Sequence, residues 1–287
     1  MLITFNCEAL GGFDAIFLLD DRKNIANIVG ALFFEEFEFE SMKNYLLMKT
    51  GQLHKCRSKL VKKFGIYWWQ RMSDEEWSLK KDYVVEDISN KTWEREDQVI
   101  TNGKIEHVKT MVTGINNDDD LRKYCCQEEK VRESFDNVQY KFLCVPKYKD
   151  GKGAIVVKTH HCFTDGLGYS TFFLAMSGEY TVKSLPGMKP IPFAKQVMIY
   201  LLSPFLILKA TFDILMKQGT RCAIKQDMPF TGHKVGAFTE DFDLNAIKAY
   251  VKQKGCTIND YMICVLSNTL YEYFDRRKEE WDGLIPR

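Results

Sequence analysis

The stretch from Gly153 to Gly168 constrains the fold of this chain more than any other. A β-branched apolar run, Ile155-Val156-Val157, continues through Lys158 and Thr159 into two adjacent histidines, His160 and His161. Cys162-Phe163-Thr164 then leads to Asp165-Gly166, and a glycine-spaced helix is expected from about Leu167 to Ser177. The pattern reads as strand, short turn and helix. Just upstream, Lys149-Asp150-Gly151-Lys152 has the chemistry of a hairpin turn, so a strand over Val138–Val145 is expected to pair with Ala154–Thr159. Neighbouring residues of a strand face opposite sides, so one imidazole is expected to enter a cleft while the other packs behind it. The chain holds only five histidines, and two of them stand here.

The rest of the chain reads as mixed α/β. Ile28–Phe37 is an expected strand, and Phe39–Phe64 has helical spacing with Met42, Leu46, Leu53, Leu60 and Val61 as its apolar stripe. The basic stretch Lys55–Lys63 then reads as the solvated face of that helix rather than a patch for an anionic membrane. Ile66–Trp69 and Ile105–Val112 are further strand candidates. Asn117-Asp118-Asp119-Asp120 reads as an acidic helix start leading into Leu121–Val131, in preference to a metal site. Ser184–Pro192 carries three of the seven prolines and is the expected linker. Beyond a long apolar helix, Lys234–Phe242 is a strand candidate, Asp243 an N-cap, and Thr257 the cap of a helix running towards Phe274. The expected organisation is a lobe over residues 1–183, a linker and apolar crossover helix over 184–230, and the opening of a second lobe over 231–287.

A hydrophobic fraction of 45% and a charged fraction of 28% suit a globular protein with a sizeable core. A formal net charge of +1 gives no reason to expect nucleic acid. Nine cysteines, at 7, 56, 125, 126, 144, 162, 222, 256 and 264, include no CxxC pair. The odd count and irregular spacing suit reduced thiols and argue against a zinc site. The N-terminus lacks a basic n-region, so no signal peptide is expected. Val197–Met216 has the length of a membrane span, but Pro204, Lys209 and Asp213 interrupt it. A buried or lobe-connecting helix, or one lying in a membrane interface, accounts for it better.

Imidazole is the side chain that titrates nearest neutrality. Beside a bound alcohol, a neutral histidine can accept the hydroxyl proton as the oxygen attacks an acyl carbonyl, a contribution of about 10²–10⁴-fold. Asp165 can brace the turn through backbone amides or an arginine, and Gly166 allows an approach that a Cβ would obstruct. Two structural histidines at a strand end remain an equal reading of these residues alone. Cys162 beside imidazole also admits a thiolate nucleophile, although packing is the simpler role.

Three separated segments resemble one family. Gly12-Phe13-Asp14-Ala15-Ile16-Phe17-Leu18-Leu19, continued by Val29-Gly30-Ala31-Leu32, is similar to the opening block of the wax ester synthase / diacylglycerol acyltransferase family. The turn at His160-His161 resembles its His-His-x3-Asp-Gly block, which is shared with condensation domains. Gly255–Met262 resembles its Asn-Asp block. The chain departs from the family at Ser134–Gln139, where a Pro-Leu-Trp-Glu element is usual, and at Gly12, where a proline is usual.

The resemblance implies an α/β (α+β) fold: a chloramphenicol acetyltransferase-like lobe with a mixed sheet flanked by helices, and the beginning of a second similar lobe. It implies acyl transfer from acyl-CoA, as co-substrate and not as a bound cofactor, to a long-chain alcohol or diacylglycerol. In that scheme His161 is the general base and His160 its structurally placed neighbour. Asp165 and Gly166 shape the site, and Asn259 and Asp260 support it. No metal is expected. The implied location is the cytoplasmic side of a membrane or lipid-droplet surface (the endoplasmic reticulum in a eukaryote), not a secreted one. Measured against the family the chain is expected to be truncated. The competing expectations are an inactive relative that binds acyl-CoA or lipid, and an amide-forming enzyme of the condensation type.

Overall fold

Strand β9, Gly153–His160, is buried at all eight of its positions and organises the first of two units in the computed structural model. The structure describes residues 7–20, 23–101, 104–178, 191–216 and 231–276. The first unit comprises residues 1–187 with 230–238, and the second 188–229 with 239–287. The fold is mixed α/β.

β9 is flanked on one side by β2 (Asn27–Phe34) and on the other by β8 (Tyr140–Val145), both antiparallel to it. β5 (Val85–Asp87) extends the sheet in parallel beside β8, giving the order β2-β9-β8-β5. The run Ile155-Val156-Val157 is apolar without alternation because both faces of its strand are covered. Ile155 and Val157 enter a core with Leu46 of α2 (Phe39–Gln52), Trp77 of α3 (Asp74–Val84), and Phe172 and Met176 of α5 (Gly166–Ser177). Ala154 and Val156 enter another core with Trp93 of β6 (Thr92–Thr101) and Leu121 and Tyr124 of α4 (Asp118–Glu129). Each such fully buried valine or isoleucine contributes about 1.5–3 kcal/mol. Lys158 also points into this strand's packed surroundings, at 1% exposure, and is held by Glu133 at 2.7 Å and Glu128 at 3.1 Å. Burial pushes the Glu133 carboxyl up, but the ammonium of Lys158 outweighs it and keeps the group below its ordinary value.

Two hairpins differ in how visible they are in sequence. Asp150 and Gly151, both at positive φ, turn β8 into β9 as expected. Phe64 (φ 53°) and Gly65 (φ 80°) make the same kind of turn between β3 (Ser58–Lys63) and β4 (Ile66–Arg71). β1 (Cys7–Ala9) completes that sheet in the order β1-β4-β3. The expected helix over Phe39–Phe64 therefore stops at Gln52, and the basic stretch is a 3₁₀ turn at Lys55–Arg57 followed by β3. Ser58 and Leu60 are buried while Lys59 and Val61 are less so, a two-residue period that overrides the apparent helical stripe. Its lysines serve local contacts: Lys55 lies over the Trp69 ring, and Lys59 pairs with Glu76 at 2.5 Å.

β7 (Lys104–Thr113) pairs with β6 as a separate hairpin. The aspartates at 118–120 do begin a helix, with Asn117 capping the Asp120 amide at 2.8 Å. They are spent on Arg95, Arg122, Lys123, Tyr148 and Lys149. The strand expected over Lys234–Phe242 does not form: residues 231–243 are irregular. Residues 231–238 lie with the first unit, where the Arg122 guanidinium donates to the Gly236 carbonyl at 2.7 Å.

The second unit contains α6 (Phe193–Met216), α7 (Leu244–Lys254) and α8 (Ile258–Arg276). α6 is long and apolar enough to cross a membrane by length and composition, and none of the residues in that span is buried. It carries Pro204 and a Lys209–Asp213 pair at 2.7 Å. Asp243 caps α7 as expected, accepting from Asn245 and Ala246. The linker expected over Ser184–Pro192 lies outside the described residues up to position 190.

Candidate active site

β9 ends on His160, whose side chain is 1% exposed. Its amide bonds to the Gln139 carbonyl at 2.9 Å, which keeps the strand pairing to its last residue. The Cys162 amide donates to His160 Nδ1 at 3.2 Å. A ring nitrogen that accepts cannot carry the proton of a neutral imidazole, so the proton sits on Nε2 and is donated to Asp20 Oδ2 at 3.1 Å. Asp20 in turn accepts from the Ala26 amide at 2.9 Å and is paired with the Arg132 guanidinium. Burial, reinforced by the positive charge of Arg132, lowers the His160 pKa to about 4. His160 is thus a neutral, immobilised histidine behind the turn.

The chain then turns at His161. Its amide bonds to the Ala26 carbonyl at 2.7 Å, and its ring stacks on Phe17 with centroids 3.7 Å apart and planes at 18°. Phe17 comes from the 3₁₀ turn Phe17–Leu19 that follows α1 (Gly12–Ile16). Nδ1 of His161 is enclosed and unpartnered. Stacking on Phe17 fixes the ring plane without using either nitrogen. Of the expected division, the packed imidazole is the one present, in His160.

Asp165 is the N-cap of α5 and accepts from the Gly168 amide at 2.7 Å. Of the two bracing roles open to it, backbone amides are the one used; Arg132 serves Asp20 instead. Gly166 does not do what the sequence suggests. Its φ is not positive, and a Cβ there would meet nothing within 4 Å. The tight position is Gly168, where a Cβ would overlap the Thr164 hydroxyl and come within 3.2 Å of Asp165 Oδ1. Cys162 is fully buried, and burial pushes its thiol up to about 12, so it packs and does not attack.

Asn259 and Asp260 lie in the second unit, at the start of α8. Asp260 forms a reciprocal cap with Thr257: its amide bonds to Thr257 Oγ1 at 3.1 Å, and its carboxylate accepts from the Thr257 amide at 2.9 Å. The first unit thus assembles His160, His161 and Asp165 in one turn, while the Asn-Asp pair stands in the other unit. Sequence reasoning missed Asp20, Arg132 and the stacking role of Phe17. A buried histidine needs a partner for its N–H, and the acid just past the Gly12–Leu19 block was the available signal.

An apolar cavity of about 1120 Å³ lies between α2, α5 and the distal end of β2, lined by Phe33, Phe37, Met42, Ile155, Phe173 and Met176 among others. It is at the opposite end of the sheet from the histidines, since Phe34 pairs with Gly153 while Asn27 pairs with His160.

No protein-family model matches this chain, and no curated protein matches it. Solved structures do. The wax ester synthase/diacylglycerol acyltransferase from Marinobacter aquaeolei VT8 matches with a TM-score of 0.56 and 18% identity, over 94% of this chain and 61% of that one. The SgcC5 protein from Streptomyces globisporus matches at 0.46 and 13%, over 96% and 61%. The starter condensation domain of a rhizomide synthetase matches at 0.40 and 9%, over 60% and 36%. The first likeness shows a shared fold, in a chain that spans 61% of that relative's length.

Proposed function

We propose that this chain belongs to an acyl-CoA-dependent O-acyltransferase in which His161 is the general base. The observation that carries the reading is the unequal pair: His160 bonded at both ring nitrogens, and His161 stacked on Phe17 with its Nδ1 unpartnered. In the reaction, Nε2 of His161 accepts the hydroxyl proton of a long-chain alcohol or diacylglycerol as the oxygen attacks the thioester carbonyl. The tetrahedral intermediate collapses to the ester, and the departing CoA sulfur takes the proton back from the imidazolium. His160 and Asp165 act as positioning residues, one through the Asp20 bond and the other through the α5 cap. Asn259 and Asp260 shape the second unit's helix start.

The test supplies labelled acyl-CoA and a hydroxyl acceptor to the full-length protein and to its His161→Ala and His161→Gln variants, with circular dichroism to verify folding. Ester formation should fall by about 10²-fold or more in both variants. Equal yield from all three removes the mechanism, and acyl-CoA binding without turnover in the unmodified protein would favour a binding relative.

The same proposal places the protein at the cytoplasmic face of a membrane or lipid droplet, with α6 lying in the interface. Its exposed Leu201, Phe205, Leu208 and Phe212 support this reading. Flotation with liposomes should weaken when Leu202 and Leu206 are both replaced by aspartate, and unchanged co-migration would exclude α6 as the anchor.

A further inference from the structure

Away from the double-histidine turn, two of the three remaining histidines meet on one carboxylate. Glu96 lies on β6, and His107 lies on β7 on the same face, diagonally across the hairpin, since Gln98 is the residue paired with His107. His233 arrives from the irregular segment 231–238, 137 residues later in the chain than Glu96. Nδ1 of His107 is 2.7 Å from Glu96 Oε1, and Nδ1 of His233 contacts the same oxygen. The three ligand atoms all lie within 4.8 Å of one another.

We propose that Glu96, His107 and His233 form a binding site for one divalent transition-metal ion, with zinc the ion their chemistry suits best, and that the ion fastens residues 231–238 to the β6–β7 hairpin. Two imidazoles and a carboxylate are a borderline donor set, preferred by zinc over magnesium or calcium. Three protein ligands leave a fourth tetrahedral position for water, and Glu96 and His107 border a cavity of about 350 Å³. Lys130 bonds the other Glu96 oxygen at 2.7 Å, which orients the carboxylate and leaves Oε1 to the ion.

The neighbouring cations do not make this an anion site. Lys109 pairs with Glu94 at 2.8 Å, Lys123 with Asp97 and Asp119, Arg122 with Asp119, and Lys234 with Glu129 at 3.6 Å. The two imidazoles stack at 3.7 Å with planes 19° apart. Coordination by both therefore requires one ring to turn about χ2. Cysteine spacing carries no information about such a site, because all its ligands are histidine or glutamate and come from distant parts of the chain. The inference is independent of the proposed acyl transfer.

The test uses tag-free full-length protein, stripped with a chelator and dialysed. Zinc chloride titrated by calorimetry should bind with a stoichiometry near one, and cobalt chloride should produce visible ligand-field absorption. His107→Gln and His233→Gln should each weaken zinc binding by about tenfold or more, with circular dichroism unchanged, while His54→Gln should not. Zinc should also slow amide hydrogen exchange over residues 231–238. No zinc binding by the folded protein, or affinity unchanged in both histidine variants, overturns the proposal.

Discussion

Burial of His160 ties the stability of the first unit to pH. The group has an ordinary value of 6.5 and a folded value of about 4. Its folded pKa is the lower, so the unfolded chain binds more protons between those values, and stability is lost as pH falls through that window. A separation of about 2.5 units corresponds to roughly 3 kcal/mol once complete, and to roughly 2 kcal/mol between pH 7 and pH 5. Carboxylates held low, such as Glu96 at about 2 against an ordinary 4.5, act mainly below that range. The assay is urea unfolding at a series of pH values, followed by tryptophan fluorescence. Trp69, Trp77 and Trp93 are buried in the first unit and report its melting. The same series on His160→Gln removes the titrating group. The unmodified protein should lose about 2 kcal/mol more than the variant on going from pH 7 to pH 5. Parallel pH profiles for the two proteins would refute the claim that His160 is held neutral by its surroundings.

Three further outcomes follow from the same structure. Gly168→Ala should destabilise the first unit by about 1–3 kcal/mol, because the new methyl meets Thr164 and Asp165, whereas Gly166→Ala should change stability by less than about 0.5 kcal/mol; chemical denaturation of the two variants separates them. Lys158→Met should cost about 3–5 kcal/mol in the same assay, since Glu128 would lose its buried ion pair and Glu133 would keep only Lys141 at 3.7 Å and the Tyr83 hydroxyl. In thiol titration at pH 8 the exposed Cys264 should react with the folded protein, while Cys162 should react only after unfolding.

The parts of the fold legible in sequence were those with strong local signals. β9, the turn at Asp150-Gly151, α4 behind its aspartates and the caps at Asp243 and Thr257 all stand where residue chemistry puts them. The misreadings have equally local causes. Phe64 occupies a positive-φ turn position usually held by asparagine or aspartate, so the β3–β4 hairpin carried only half its signature. Residues 234–242 alternate like a strand but have no strand partner among the described residues, so the pattern alone did not make one. Gly166 stood in the motif and drew the steric argument, but the crowding falls on Gly168 because that residue lies over the Thr164 side chain.

What the linear order of residues determined unaided is the strand that presents two histidines at its end and the helix that follows the turn, because both follow from local periodicity. Which histidine is locked was decided only by folding. The lock is Asp20, 140 residues away in the chain, with Arg132 behind it, while the ring of His161 stacks on Phe17. Proton placement depends on burial and on the donors and acceptors that tertiary packing brings within about 3 Å, and no local pattern encodes those distances.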